Sequence, residues 1–106
     1  MKIFFQGLIL SIFFGLMGGM SNPARADLVV FACEPEWGAL SKELGGDKVK
    51  VRDATSPLQD PHFVTARPSL IAAVRRADVV VCNGAGLEIG WLPLLLRKSG
   101  NKDVQP

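Results

Sequence analysis

The chain has 106 residues, 48% of them apolar, with 12 Lys+Arg against 10 Asp+Glu, one His and two Cys. That length holds one small domain. With charged residues at 21% and no run of like charge longer than two, neither a disordered tail nor a polyelectrolyte binder fits, and repeats of collagen, coiled-coil or mucin type are excluded.

Phe4, Phe5, Phe13 and Phe14 crowd the first twenty residues, behind a single positive charge at Lys2. Gly7 to Met20 is uncharged and mostly apolar, Ser21-Asn22-Pro23 breaks any helix, and Ala24-Arg25-Ala26 has the small-x-small pattern of a cleavage site. Residues 1–26 therefore read as a secretory signal peptide. A membrane anchor would need roughly 20 apolar residues to cross about 30 Å of hydrocarbon, whereas Gln6, Ser11 and four Gly interrupt this stretch, so no stable insertion is expected after cleavage. No Cys follows until Cys33, which argues against a lipid-anchored start. Cleavage after Ala26 removes Lys2 and Arg25 and no acid, leaving the mature chain without net charge. The electrostatic case for a nucleic acid or an anionic membrane surface goes with it.

From Asp27 onward the chain alternates strand and helix. Leu28 to Cys33 is a continuous apolar run rich in β-branched residues, the pattern of a strand covered on both faces. Glu36 to Leu44 can wind as a short helix with Trp37, Leu40 and Leu44 on one side, stopped by Gly45-Gly46. Val49 to Val51, with Lys48, Lys50 and Arg52 around it, suggests an edge strand with one wet face. Thr55 to Arg67 contains two Pro and no regular period, and a loop of that length is usually tied to function. Pro68 sits where a first-turn proline belongs, and Leu70, Ile71, Val74 and Ala77 keep a helical period that ends at Arg75-Arg76. Val79 to Cys82 predicts a third buried strand. Glu88 to Lys98 predicts another helix, which Pro93 must start or kink, ending at Gly100. Asn101 to Pro106 reads as a connector.

Short apolar strands separated by helices argue for right-handed crossovers and an α/β fold with a parallel sheet of about three strands. Nothing after the last helix closes such a sheet, so residues 27–106 are expected to form only part of a lobe.

Asp60-Pro61-His62 places the single His on a loop beyond the C-terminal end of a parallel strand, where such sheets bind ligands, and neutral imidazole is a good zinc ligand. A lone His also serves commonly as a surface hydrogen-bonding residue. Cys33 and Cys82 both fall at the C-terminal ends of strands, and three readings stay open for them: a disulfide, two buried thiols, or a zinc site with His62. Gly84-Ala85-Gly86 with Gly90 follows a strand and precedes a helix, so a nucleotide-binding turn is one reading and a plain tight turn the other. Glu34 and Glu36 read as acid and base of a hydrolase, or as first-turn acids of the helix. Ser41 and Ser69 lie on helices without a glycine elbow, so nothing positive supports enzyme catalysis.

The export signal, the LVVFAC strand, Glu43 to Val49, Gln59-Asp60-Pro61-His62 and the run from Ala77 to Glu88 form an ordered series. The series resembles the N-terminal part of the zinc and manganese solute-binding proteins of bacterial ABC importers, over essentially Asp27 to Lys98. The resemblance implies a fold of two α/β lobes joined by a long helix, with Zn²⁺ or Mn²⁺ held between them by imidazoles and carboxylates. It implies that His62 is the first metal ligand, that the remaining ligands come from later segments, and that the protein is a periplasmic, non-enzymatic carrier serving an ABC permease in the inner membrane. Two such lobes need on the order of 200 to 300 residues, so a truncated carrier is expected, inactive by itself. Cys33 to Gly38 departs from the uncharged stretch common in relatives, and there Glu34 or Glu36 is a candidate auxiliary carboxylate. The competing readings are an exported α/β enzyme fragment binding a nucleotide or sugar at the Gly84–Gly90 turn, and a non-functional remnant.

Overall fold

A computed structural model describes residues 27–105, so the expected signal peptide lies outside the described residues. The strands β1 (Leu28–Ala32), β2 (Val49–Asp53) and β3 (Val79–Val81) alternate with the helices α1 (Pro35–Gly45), α2 (Pro68–Arg75) and α3 (Leu92–Ser99). Single 3₁₀ turns follow at Gly46–Lys48 and Lys102–Val104. The sheet order is β2-β1-β3 and both pairings are parallel. The α/β fold with three parallel strands expected from the pattern is the one observed.

β1 is central, and its sequence tolerates cover on both faces. Val30, Phe31, Ala32 and Cys33 are all buried, as a continuous apolar run requires. β2 alternates half-buried and exposed positions, with Lys50 and Arg52 in water, which fits an edge. β3 departs from expectation: it is an edge strand among the described residues, and Val79 is 37% exposed. Its apolar sequence permits burial on both faces, but the described residues supply no strand beyond it.

α1 also turns a different side inward. Leu40 and Leu44 are exposed, and the helix approaches the sheet through Gly38 and Gly45. A Cβ on Gly38 would strike the Asp53 carboxylate. One on Gly45 would strike both methyls of Val49, with Cγ2 at 2.7 Å and Cβ at 3.0 Å. Absent side chains thus set the helix-to-strand distance, which a search for an apolar stripe does not detect. Gly45→Ala is expected to lower stability by about 1–3 kcal/mol, since Val49 is stiff at χ1 and its Cβ as well as its methyls crowd the added carbon. Thermal melts of Gly45→Ala, Val49→Ala and the double variant check this. The double variant should recover much of the loss, and simple additivity of the two costs would refute the clash.

α2 runs as expected, with Leu70, Ala73 and Val74 buried. α3 starts at Leu92 rather than Glu88, with Pro93 in its first turn, where a missing N–H costs nothing. Gly100, at φ 65°, ends it in the left-handed region open to glycine. Phe31, Leu70, Val74, Trp91 and Leu95 form the fully buried centre of the core. The segment after Gly100 is more than a connector. The Asn101 amide donates to the carbonyls of Val74 and Ala77, both at 2.8 Å, and so ties the end of α2 to the segment after α3. No helix among the described residues is long and apolar enough to cross a membrane.

Candidate metal site

Three parallel strands end on one side of the sheet, so the segments that follow them gather there. The ladder continues briefly past the strands: Ala54 N–H donates to the Ala32 carbonyl at 2.8 Å, and the buried Thr55 hydroxyl donates to that of Cys33 at 2.8 Å. Beyond Thr55 the chain enters the irregular loop that carries His62.

Asp60 shapes the tip of this loop. Its Oδ1 accepts the His62 backbone N–H at 2.9 Å and lies 2.7 Å from the His62 ring Nδ1, while the Asp60 carbonyl accepts Phe63 N–H at 3.2 Å. The His62 N–H, seconded by its ring, holds the Asp60 carboxyl below its ordinary value. A neutral ring that donates Nδ1–H to this carboxylate presents the Nε2 lone pair outward, the tautomer a metal ligand needs. The side chain is 57% exposed.

The loop is exposed but tied from beneath. The indole of Trp91, itself 1% exposed, donates to the Pro61 carbonyl at 2.7 Å. Gly90 lies so close that a Cβ there would sit 3.3 Å from the His62 carbonyl oxygen. Residues just before α3 therefore fix the height of Asp60-Pro61-His62 above the sheet, a role the sequence reading did not assign to them.

A second group lies at the ends of β1 and β3. The structure joins Cys33 to Cys82, with their Cα atoms 4.8 Å apart, so neither sulfur is free to share a metal with His62. Glu34 and Glu88 are 3% and 4% exposed and converge on one donor: the Asn83 N–H lies 3.2 Å from Glu34 Oε2 and 2.8 Å from Glu88 Oε1. Glu88 also accepts Gly84 N–H at 3.0 Å. Burial, with Glu88 alongside, pushes the Glu34 carboxyl up to about 7. Burial raises Glu88 too, but the Glu34 carboxyl and the N–H groups of Asn83 and Gly84 outweigh it and hold Glu88 below its ordinary value. Between these two values the pair carries a single proton, on Glu34. Glu36 stands apart, exposed in the first turn of α1, where an acid faces the positive helix end.

This arrangement answers the nucleotide reading of the glycine turn. Gly84, Ala85 and Gly86 all have positive φ, at 78°, 55° and 84°, and the reversal brings Glu88 back onto the N–H groups of Asn83 and Gly84. A phosphate would have to displace that carboxylate. The glycines serve the turn.

Comparison with known proteins bears on the family and the fold. Residues 30–106 match the family model described as ZnuA, zinc-uptake complex component A, periplasmic. The metal ABC transporter substrate-binding lipoprotein FimA of Streptococcus parasanguinis is 28% identical over 105 residues, which is 91% of this chain and 34% of the relative. The manganese ABC transporter substrate-binding lipoprotein PsaA of Streptococcus pneumoniae is 28% identical over 106 residues, again 91% of this chain and 34% of the relative. A crystal structure of ZnuA superposes with a TM-score of 0.64 at 27% identity, covering 74% of this chain and 30% of that one. A metal-free periplasmic metal-binding protein from candidatus liberibacter asiaticus shares the fold, with a TM-score of 0.63 at 21% identity over 74% of this chain. The chain spans about a third of the length of the curated relatives it matches.

Proposed function

Because the chain belongs to the ZnuA family of metal ABC transporter substrate-binding proteins, a family of transporter components and not of enzymes, we propose that it takes part in capturing a divalent transition metal for an ABC importer. His62 is the ligand, through Nε2. The cargo is zinc, with manganese as the alternative, and the site of action is the periplasm, reached through the signal peptide at residues 1–26. Residues 27–106 supply part of one lobe, and an ABC permease in the inner membrane is the partner that receives the ion.

The observation that supports this most is the posture of His62. One ring nitrogen is held by Asp60 at 2.7 Å, the other is outward, and the loop beneath is tied to the buried Trp91. A surface histidine with no such task needs neither the orienting carboxylate nor the anchor. One imidazole does not make a tight site, since zinc takes three or four protein ligands. Glu34 and Glu36 remain auxiliary candidates, although Glu34 is engaged with Asn83 and Glu36 lies on α1.

The test is a titration of the metal-stripped chain with Zn²⁺ and Mn²⁺ against a chromophoric chelator. Binding is expected to disappear in His62→Ala, because the chain has no other imidazole. Asp60→Ala, which removes the partner of the ring and the acceptor of the His62 N–H while leaving the ligand itself, should weaken binding by about 10–100-fold. Undiminished affinity in His62→Ala would overturn the assignment, and a preference for Mn²⁺ would replace zinc as the cargo.

A further inference from the structure

We propose that the cleft between β2 and α2 binds a small organic phosphate, held by Arg52 and Arg76 and oriented by the Ser69 hydroxyl. The proposal stands independently of the His62 reading.

Two sequence patterns make the cleft. Side chains alternate along β2, and Val49 and Asp53 meet α1 at Gly45 and Gly38, so Lys50 and Arg52 fall on the opposite face. Arg52 is paired there with Phe31, which packs in the core with Leu70 and Val74 of α2. On α2 itself, Ser69, Ala72, Ala73 and Arg76 keep the spacing of a single helix face. With Val29 and Arg52 they line an open cleft of about 310 Å³. The methyl groups of Ala72 and Ala73 fill little of the space between helix and strand.

Charge decides what suits this cleft. The ion pairs among the described residues are Lys42 with Asp53, Lys50 with Asp27 and His62 with Asp60, so none of them neutralises an arginine. Arg67 donates to Ser69 Oγ and Arg75 to the Ser99 carbonyl, whereas Arg52 and Arg76 have no side-chain partner among the described residues. The acids at the foot of the same strands are engaged elsewhere: Asp27 lies 3.1 Å from Lys50, and Asp78 accepts the Val29 N–H at 2.8 Å. Two guanidinium groups thus line one cleft with no carboxylate paired to either. Over the whole chain 12 basic residues face 10 acidic ones, so this excess is local.

A phosphate monoester carries nearly two negative charges at neutral pH, which matches two guanidinium groups, and arginine forks fit phosphate oxygens bidentately. Ser69 Oγ accepts from Arg67 at 3.1 Å, which leaves its O–H to donate to a further phosphate oxygen. Val29, Ala72 and Ala73 give the cleft an apolar floor, suited to the carbon part of an ester.

The experiment titrates phenyl phosphate into the ¹⁵N-labelled chain at fixed ionic strength and follows the backbone amide shifts, with inorganic phosphate as a parallel probe. Saturable one-to-one shifts are expected at Val29, Arg52 and the stretch from Ser69 to Arg76, with the ester bound more tightly than inorganic phosphate. Arg52→Gln and Arg76→Gln, at exposed positions that leave the core intact, should each weaken binding by at least about tenfold. Ala72→Leu, which fills the cleft and keeps every charge, should do the same, while His62→Ala should change nothing. Shifts that never saturate, that extend equally to Lys42, Lys98 and Lys102, or that survive Ala72→Leu would show diffuse ionic attraction and overturn the site. An ester bound no more tightly than inorganic phosphate would overturn the organic class. Sedimentation with vesicles containing phosphatidic acid distinguishes the two sources of such a group: sedimentation lost in Arg52→Gln assigns a lipid headgroup, and none in the native chain assigns a soluble ester.

Discussion

Trp91→Ala is expected to be the most damaging single truncation in the described core, lowering stability by about 3–5 kcal/mol. Trp91 is the largest of the fully buried side chains, so truncation leaves a cavity between β1, α2 and α3 that stiff, close-packed neighbours refill only in part. A domain of this size holds only several kcal/mol in all, so the variant should be largely unfolded at moderate temperature. The informative partner is Trp91→Phe. It keeps most of the packing but removes the N–H that meets the Pro61 carbonyl at 2.7 Å, at a cost of about 1–3 kcal/mol. Amide exchange should then quicken in residues 56–67 more than in α2, because the loop loses its tie while the helix keeps its contacts. Uniform acceleration across both segments would show that the indole serves packing alone. If loop posture governs metal capture, Trp91→Phe should also lose affinity while retaining every ligand.

That coupling was hidden in the sequence for a physical reason. Elements were legible wherever burial leaves a period or a breaker leaves a stop: the apolar run of β1, the alternation of β2, the prolines that open α2 and α3, the glycine that closes α3. Asp60-Pro61-His62 was legible because a carboxylate two residues from an imidazole is a local arrangement, and the structure closes it within that span. What stayed obscure is non-local. Glu34 meets Asn83 across 49 residues and Trp91 meets Pro61 across 30. No periodicity encodes either contact. Leu40 and Leu44 misled because an apolar stripe signals burial only when something is present to bury it, and glycines at 38 and 45 drew the helix in by another side. Asn101 looked like linker composition but satisfies carbonyls at the end of α2.

Glu34→Gln is expected to abolish the fall in stability that the native chain shows as pH rises from 4.5 to about 7. In the folded chain Glu34 keeps its proton up to about 7, whereas its ordinary value is 4.5. Between those values the folded state holds a proton that the unfolded state has released, so stability falls as pH rises through the window. The full difference corresponds to roughly 3–4 kcal/mol as an upper bound. Glu88 acts oppositely: held below 4.5, it contributes stability above that value and loses it as pH falls further. The pair therefore stabilises most near the lower end of the window, where one proton serves two carboxylates. A glutamine at position 34 can donate to Glu88 as the shared proton does, and it has nothing to release. Urea midpoints should then show the variant more stable than the native chain at pH 8, by about 1–3 kcal/mol, with the two converging near pH 5. Parallel pH profiles would mean that Glu34 titrates normally and that the meeting of two buried carboxylates at Asn83 is relieved in some other way.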